Sequence, residues 1–283
     1  MKILRAAHLG MCFGVRDAIA LAKQESRSQP VTVLGELVHN QTVLRDLARD
    51  GVRFANGLNG VGTATVMITA HGASDRTING VRERGYRVLE ATCPLVHFAH
   101  RALKALVAEG FHPVIIGQRD HVEVRGMTGD LEEFDVVLSD EDVRQLREKA
   151  RFGVVSQTTQ PMEKVEGLLK QIRARFPHSE IRFRDTVCQP TKQRQTAAAK
   201  LAGECDLVIV IGGANSNNTK ELVATCRRDC PRVYHVQTAA DLRPEWFPGV
   251  SRVGITAGTS TPDDAIQAVE LAIHEMAACK EAV

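Results

Sequence analysis

Three of the seven cysteines in this 283-residue chain fall at one repeated place. Cys12 lies 23 residues before Gly35, Cys93 lies 24 before Gly117, and Cys188 lies 24 before Gly212. An odd cysteine count, behind a start (MKILRAAHLGMCFGV) with no continuous apolar run, argues against a disulfide framework and for reduced thiols with metal or catalytic work. Three thiolates with no evident fourth suggest an incomplete coordination sphere. Zinc on three cysteines with an open site fits, as does zinc with His39 or His71 as a fourth ligand. An iron–sulfur cluster that leaves one iron open to substrate fits as well, and the spacings do not separate the three cases. Cys205, Cys226, Cys230 and Cys279 break the repeat and read as small buried hydrophobes.

A second set of residues stands just after short apolar runs: His39 and Asn40, His71, His121 and Glu123, Thr158 and Thr159, Ser216, Asn217 and Asn218, and Thr259, Ser260 and Thr261. In parallel α/β sheets, ligands sit outside the carboxyl ends of the strands. Imidazoles, hydroxyls and amides gathered there, with helix N-termini behind them, make an anion site suited to phosphate. Each of these residues also has a plainer reading as a helix cap or a satisfied polar group. Histidines at matching places in two repeats, beside three repeated cysteines, favour the functional reading for the set.

The elements that must position them follow from the same repeat. Each cysteine precedes an amphipathic segment, and each segment precedes an apolar run ending in glycine (PVTVLG, HPVIIG, LVIVIGG). A second strand and polar loop follow 35 to 45 residues after that glycine, at VMITAHGAS, GVVSQTTQP and VGITAGTSTP. A period of 80 to 95 residues is too long for a solenoid unit. The reading is therefore an α/β protein of three pseudo-repeated lobes arranged as a trefoil around a common centre that holds the three thiolates. The lobes span residues 12–92, 93–187 and 188–283, joined by an N-terminal strand segment, 1–11. The stretch after Gly117 reads as a loop whose extended backbone turns His121 and Glu123 to one face. Composition is that of an ordinary globular chain, 43% apolar and 25% charged, and a net charge of +2 gives no field for nucleic acid. No run reaches the length of a membrane span, so the expected compartment is the cytoplasm.

The segments MCFGVR (11–16), GELVHN (35–40), TAHG (69–72), ATCPLV (91–96), HVEVRG (121–126), QTT (157–159), DTVCQPTKQRQ (185–195), NSNN (215–218) and GITAGTSTP (254–262) resemble, in order, the motifs of the LytB family of 4-hydroxy-3-methylbut-2-enyl diphosphate reductases. The resemblance runs over essentially the whole chain. It implies a [4Fe-4S] cluster on Cys12, Cys93 and Cys188 whose open iron takes the allylic oxygen of the substrate. Two electrons and two protons then release that oxygen as water. It further implies that His39, His71, His121, Ser216, Asn218 and Ser260 hold the diphosphate, with Asn217 beside them, that Glu123 delivers the proton, and that Thr158 holds the substrate hydroxyl and relays that proton. With no nucleotide fingerprint present, the electrons come from an external donor such as a ferredoxin or flavodoxin. The sequence departs from the family pattern at Asn217, where a second serine is usual, at Asp120 and Val122 around the third histidine, at His97 and Phe98 after the second cysteine, and at Pro190 after the third. These departures leave room for a paralogue acting on a related allylic diphosphate. A non-catalytic iron–sulfur sensor is the alternative of a different class, and it has no need of Glu123 and Thr158.

Overall fold

The computed structural model describes the backbone of residues 1–281 and the side chains of residues 1–277, so the side chain of Cys279 lies outside the described residues. The chain begins with β1 (Lys2–Arg5), α1 (Phe13–Ser28), β2 (Val31–Leu34), α2 (Gln41–Arg49) and β3 (Arg53–Ala55). It continues through β4 (Thr65–Ile68), α3 (Asp75–Glu83), β5 (Arg87–Glu90), α4 (Pro94–Ala108), β6 (His112–Ile116) and α5 (Val122–Thr128). Next come β7 (Asp135–Val137), α6 (Asp140–Gln145), β8 (Arg151–Ser156), α7 (Met162–Arg175) and β9 (Glu180–Phe183). The last part holds α8 (Gln189–Glu204), β10 (Leu207–Ile211), α9 (Asn217–Asp229), β11 (Val233–Val236), β12 (Arg252–Ala257) and α10 (Asp263–Glu281).

The strands form three four-stranded sheets, ordered β3-β2-β4-β5, β7-β6-β8-β9 and β11-β10-β12-β1, and every described pairing is parallel. The three share one topology, so the fold is α/β with a repeated four-stranded unit. The third sheet takes its last strand from the start of the chain, with Lys2 to Arg5 in register with Arg252 to Ile255. Parallel strands covered on both faces read as unbroken apolar runs, and β10 (LVIVI) is buried at every position.

By contacts the chain divides into two compact units. One contains residues 1–15, 39–43 and 189–283, with the sheet β11-β10-β12-β1. Its core includes Leu207, Ile209, Ile211, Val253, Ile255, Ile266, Val269 and Ile273. The other contains residues 16–38 and 44–188 and both remaining sheets. In it, α7 turns Val165, Leu168, Leu169 and Ile172 inward, the i, i+3, i+4, i+7 stripe of an amphipathic helix, against Val114, Val154 and Phe152. Each such side chain, fully buried, contributes about 1.5–3 kcal/mol. Asp130 accepts the backbone N–H groups of Asp75 and Arg76, both at 2.8 Å, and so caps α3 from beyond the end of α5. No described helix is long and apolar enough to cross a membrane.

One local expectation is overturned. Residues 122–128 are helical, with His121 as N-cap, and are not an extended loop. On a helix, residues two apart do not share a face, so the argument that extended backbone aligns His121 with Glu123 fails. The contact between them is instead the hydrogen bond from the Glu123 N–H to His121 Nδ1.

Candidate functional site

Each repeat cysteine follows the outermost strand of its sheet: Cys12 follows β1, Cys93 follows β5 and Cys188 follows β9. Each donates its backbone N–H to the loop after the neighbouring strand. Cys12 donates to Thr259 O, Cys93 to Ala70 O and Cys188 to Thr158 O, all at 3.0 Å. Parallel pairing thus extends past the strand ends and fixes all three at one place in the repeat. Each is half-buried and stands at the start of a helix, the end that favours negative charge. A thiolate is a donor suited to a soft metal centre. Cys12 belongs to one compact unit, and Cys93 and Cys188 to the other.

In the larger unit, His71, on the loop after β4, and His121 meet edge to face with ring centroids 5.6 Å apart. His121 Nδ1 accepts the N–H of Glu123 at 3.1 Å, which caps α5. A nitrogen accepting a hydrogen bond carries no proton, so in the neutral ring Nε2 is the donor, as an anion site requires. Glu123 is 1% exposed. Its Oε1 accepts the N–H of Thr158 at 2.6 Å and its Oε2 accepts the Thr158 hydroxyl at 3.0 Å. Burial pushes this carboxyl up to about 7, against the lowering effect of the two Thr158 hydrogen bonds.

In the other unit, Ser216 caps α9 by accepting the N–H of Thr219, and Asn217 and Asn218 open that helix, both buried. The Asn218 amide oxygen accepts the N–H of Thr259 at 3.0 Å, while its Nδ2, also buried, has no hydrogen-bond partner among the described residues. A buried donor left unmade costs about 1–3 kcal/mol, and a bound anion would satisfy it. Ser260 Oγ donates to His39 O at 3.2 Å, and Asn40 Nδ2 donates to Ser260 O at 2.9 Å. Gly213 permits this arrangement, since a Cβ there would lie 2.3 Å from His39 O. His39, Asn40, Ser216, Asn217, Asn218 and Ser260 therefore lie in one unit, and His71, His121, Glu123 and Thr158 in the other.

The chain belongs to the LytB family. The family's model, described as LytB protein, matches residues 3–274. A 4-hydroxy-3-methylbut-2-enyl diphosphate reductase of Geobacter sulfurreducens is 38% identical over 276 residues, covering 95% of this chain and 97% of the relative. One from Aquifex aeolicus is 38% identical over 282 residues, covering 98% and 97%. Among solved structures, the E-1-hydroxy-2-methyl-but-2-enyl-4-diphosphate reductase of Plasmodium falciparum aligns with a TM-score of 0.89 at 28% identity, over 94% of this chain and 86% of that one. A second, described as (E)-4-hydroxy-3-methyl-but-2-enyl diphosphate reductase, the terminal enzyme of the non-mevalonate pathway, gives 0.70 at 37% identity over 97% and 99%.

One departure from the LytB pattern finds a local account. His97 Nε2 lies 3.2 Å from Glu90 Oε1 and ties the first turn of α4 to the end of β5. Phe98 is an exposed aromatic on the same helix. Nothing in the structure explains Asp120, Val122 or Pro190.

Sequence reasoning passed over two residues that lie near predicted site residues, one in each unit. Arg194, buried on α8, donates from Nε and Nη2 to Gly10 O at 3.0 and 2.8 Å and clamps the turn before Cys12. Its signal was available, because an arginine six residues past a candidate ligand inside a helix calls for a partner. His100, on α4, packs against Gly72 and Gly126, and burial, with Lys104 nearby, pushes its imidazole down to about 4, so it is neutral under working conditions. Cys205, Cys226 and Cys230 are buried in an apolar cluster with Leu201, Leu222 and Val233. Burial pushes the thiols of Cys205 and Cys226 up to about 11 and about 12, as expected of inert core cysteines.

Proposed function

We infer that the chain is a 4-hydroxy-3-methylbut-2-enyl diphosphate reductase: it removes the allylic hydroxyl of that substrate as water, taking up two electrons and two protons. The products are isopentenyl and dimethylallyl diphosphates. The observation that carries the reading is Glu123, a carboxyl buried to 1% exposure, held by both donors of Thr158 and titrating near 7. A general acid works best when its pKa lies near the operating pH. When Glu123 is protonated, its Oε2–H donates to Thr158 Oγ1. The threonine hydrogen is then free to turn to the leaving oxygen, which makes Thr158 a relay.

Cys12, Cys93 and Cys188 would hold a [4Fe-4S] cluster, and the support for grouping them is the equivalence of their places in three sheets of one topology. Bound there, the cluster supplies the electrons and a Lewis-acidic site for the departing oxygen. Its reductant is an external protein such as a ferredoxin or flavodoxin. The lobes are residues 12–92, 93–187 and 188–283, the last joined by segment 1–11. The diphosphate is held by His39, His71, His121, Ser216, Asn217, Asn218 and Ser260. The Nε2 donor of His121 and the buried Nδ2 of Asn218 support this assignment. The compartment is the cytoplasm.

The test is anaerobic turnover of 4-hydroxy-3-methylbut-2-enyl diphosphate by iron-reconstituted protein with a chemical reductant. Both five-carbon diphosphates are expected. A colourless, iron-free protein that binds zinc at the three cysteines would overturn the reading.

A further inference from the structure

Two of the three sheets repeat one short chain of hydrogen bonds. In the second sheet, Thr158 donates its N–H to Glu123 Oε1 at 2.6 Å and accepts the N–H of Cys188 at its carbonyl at 3.0 Å. In the third, Thr259 donates its N–H to Asn218 Oδ1 at 3.0 Å and accepts the N–H of Cys12 at 3.0 Å. The positions correspond. Glu123 and Asn218 each stand six residues past the glycine that ends the preceding strand, Gly117 and Gly212, and each is the second residue of its helix, behind the caps His121 and Ser216. Thr158 and Thr259 are each the second residue after the strand that neighbours the cysteine's own.

Asn218 is therefore the structural counterpart of Glu123, with an amide in place of the acid. Its two ends face different tasks. The oxygen holds the Thr259 N–H, and through that peptide the backbone of Cys12. The nitrogen is buried in a residue 2% exposed and has no partner among the described residues, so it is kept for a ligand. An amide is a rigid plane, so an acceptor that fixes Nδ2 also fixes Oδ1. We propose that Asn218 is a positioning residue for Cys12, which couples occupancy of the anion site at the start of α9 to the loop that carries this cysteine, by way of Thr259. This rests on the reading of Cys12 as a cluster ligand. A phosphate oxygen on Nδ2 orients the amide, the amide holds Thr259, and Thr259 holds Cys12. All three residues of this relay belong to one compact unit.

The coupling is read from cluster retention and not from turnover. Iron release from the anaerobically reconstituted full-length protein on adding a chelator is followed with and without inorganic diphosphate, for wild type, Asn218→Asp and Asn218→Ala. In wild type, diphosphate is expected to slow release severalfold. Asn218→Asp keeps an oxygen for Thr259 but replaces the donor with a negative charge, so it should release iron at the wild-type basal rate and show no protection. Asn218→Ala loses both ends and should release iron severalfold faster than either. Iron release from Asn218→Ala at the wild-type rate, release from Asn218→Asp as fast as from Asn218→Ala, or no protection of wild type by a concentration of diphosphate that calorimetry shows to be saturating would each overturn the proposal. Full iron content in Cys12→Ser would overturn the cluster assignment itself, and this coupling with it. The wild-type comparison needs no variant to fold, and circular dichroism checks the two that must.

Discussion

At the scale of single residues, Glu123 carries the sharpest expectations, because burial favours the protonated form that its proposed role requires. Burial holds its pKa near 7, so the protonated fraction falls as pH rises through that value, and turnover limited by proton delivery should fall with it. Glu123→Gln keeps the shape but not the acid. It should still perturb the cluster spectrum on binding substrate, yet turn over about 100-fold or more slowly with a flat pH profile. Wild-type turnover in this variant would remove Glu123 from the mechanism. Stability gives an independent reading with a fixed sign. The folded pKa lies above the ordinary value of 4.5, so this group's stabilisation is complete below about 4.5 and is lost as pH rises through about 7. In cluster-free protein at pH 8, Glu123→Gln should therefore be more stable than wild type, on the order of 2–3 kcal/mol by denaturant unfolding. Among the cysteines, replacing Cys12, Cys93 or Cys188 with serine should abolish iron content, whereas Cys226→Ser, deep in an apolar cluster, should leave it intact. Removing a single histidine, His39 or His121, should weaken diphosphate binding by about 1.5–3 kcal/mol, the worth of a hydrogen bond to a charged group. Wild-type affinity in both variants would place the anion site elsewhere.

At the scale of elements, the first turn of α9 shows how closely a helix must approach strand ends for its N-terminus to serve an anion. Thr219, fully buried, packs so near the backbone that a Cβ on Gly258 would lie 2.1 Å from its hydroxyl oxygen, and one on Gly212 2.4 Å. Gly258→Ala should push α9 outward and lower diphosphate affinity at least tenfold in calorimetry, and, because Asn218 moves away from Thr259 with the helix, iron release to a chelator should also quicken. Unchanged affinity would mean that the helix start is not part of the anion site. This turn was legible only in part: Ser216 is a recognisable cap, but the need for glycine at 258 depends on a helix 40 residues earlier. The misreading at 122–128 has a similar cause. In HVEVRGMT, Val122 and Val124 alternate with Glu123 and Arg125, the period of a strand. What makes the segment helical is a cap supplied by a histidine ring, which is not among the usual capping residues, together with burial of Val124 and Met127 in the core against α4. The long strands and helices were legible because their apolar periods run uninterrupted, as in β10 and α7. The relay Asn218–Thr259–Cys12 was not, because backbone hydrogen bonds between distant segments leave no mark on residue types.

At the scale of the whole molecule, the repeat that shows in the sequence as three cysteine-to-glycine intervals shows in the structure as three sheets of one topology, and the third is complete only because β1 returns to pair with β12. Sequence reading joined segment 1–11 to the third lobe without a strand partner for it. Nothing local links residues 2–5 to residues 252–255, and a pairing across nearly the full chain length cannot be read from either end. The return makes β1 as much a support of Cys12 as β5 is of Cys93 and β9 of Cys188. It also makes a prediction that separates a structural strand from a dispensable terminus. Deleting residues 1–6 removes Ile3 and Leu4, which pack against the two apolar clusters of this sheet, and bares the edge of β12, whose Val253 and Ile255 are fully buried. An unpaired edge of that kind promotes association between chains. The truncated protein should melt well below wild type, tend to aggregate, and hold no more iron than Cys12→Ser, since the turn carrying Cys12 loses its anchor. Arg5→Ala is the control. It removes only the side chain that pairs with Glu270 in a partly exposed ion pair, and such pairs are worth about 0–1 kcal/mol. It should leave melting temperature and iron content close to wild type. If the truncated chain instead retains full iron content and a wild-type melting temperature, the pairing of β1 with β12 does not support Cys12, and the equivalence of the three sheets has no bearing on how the cluster is held.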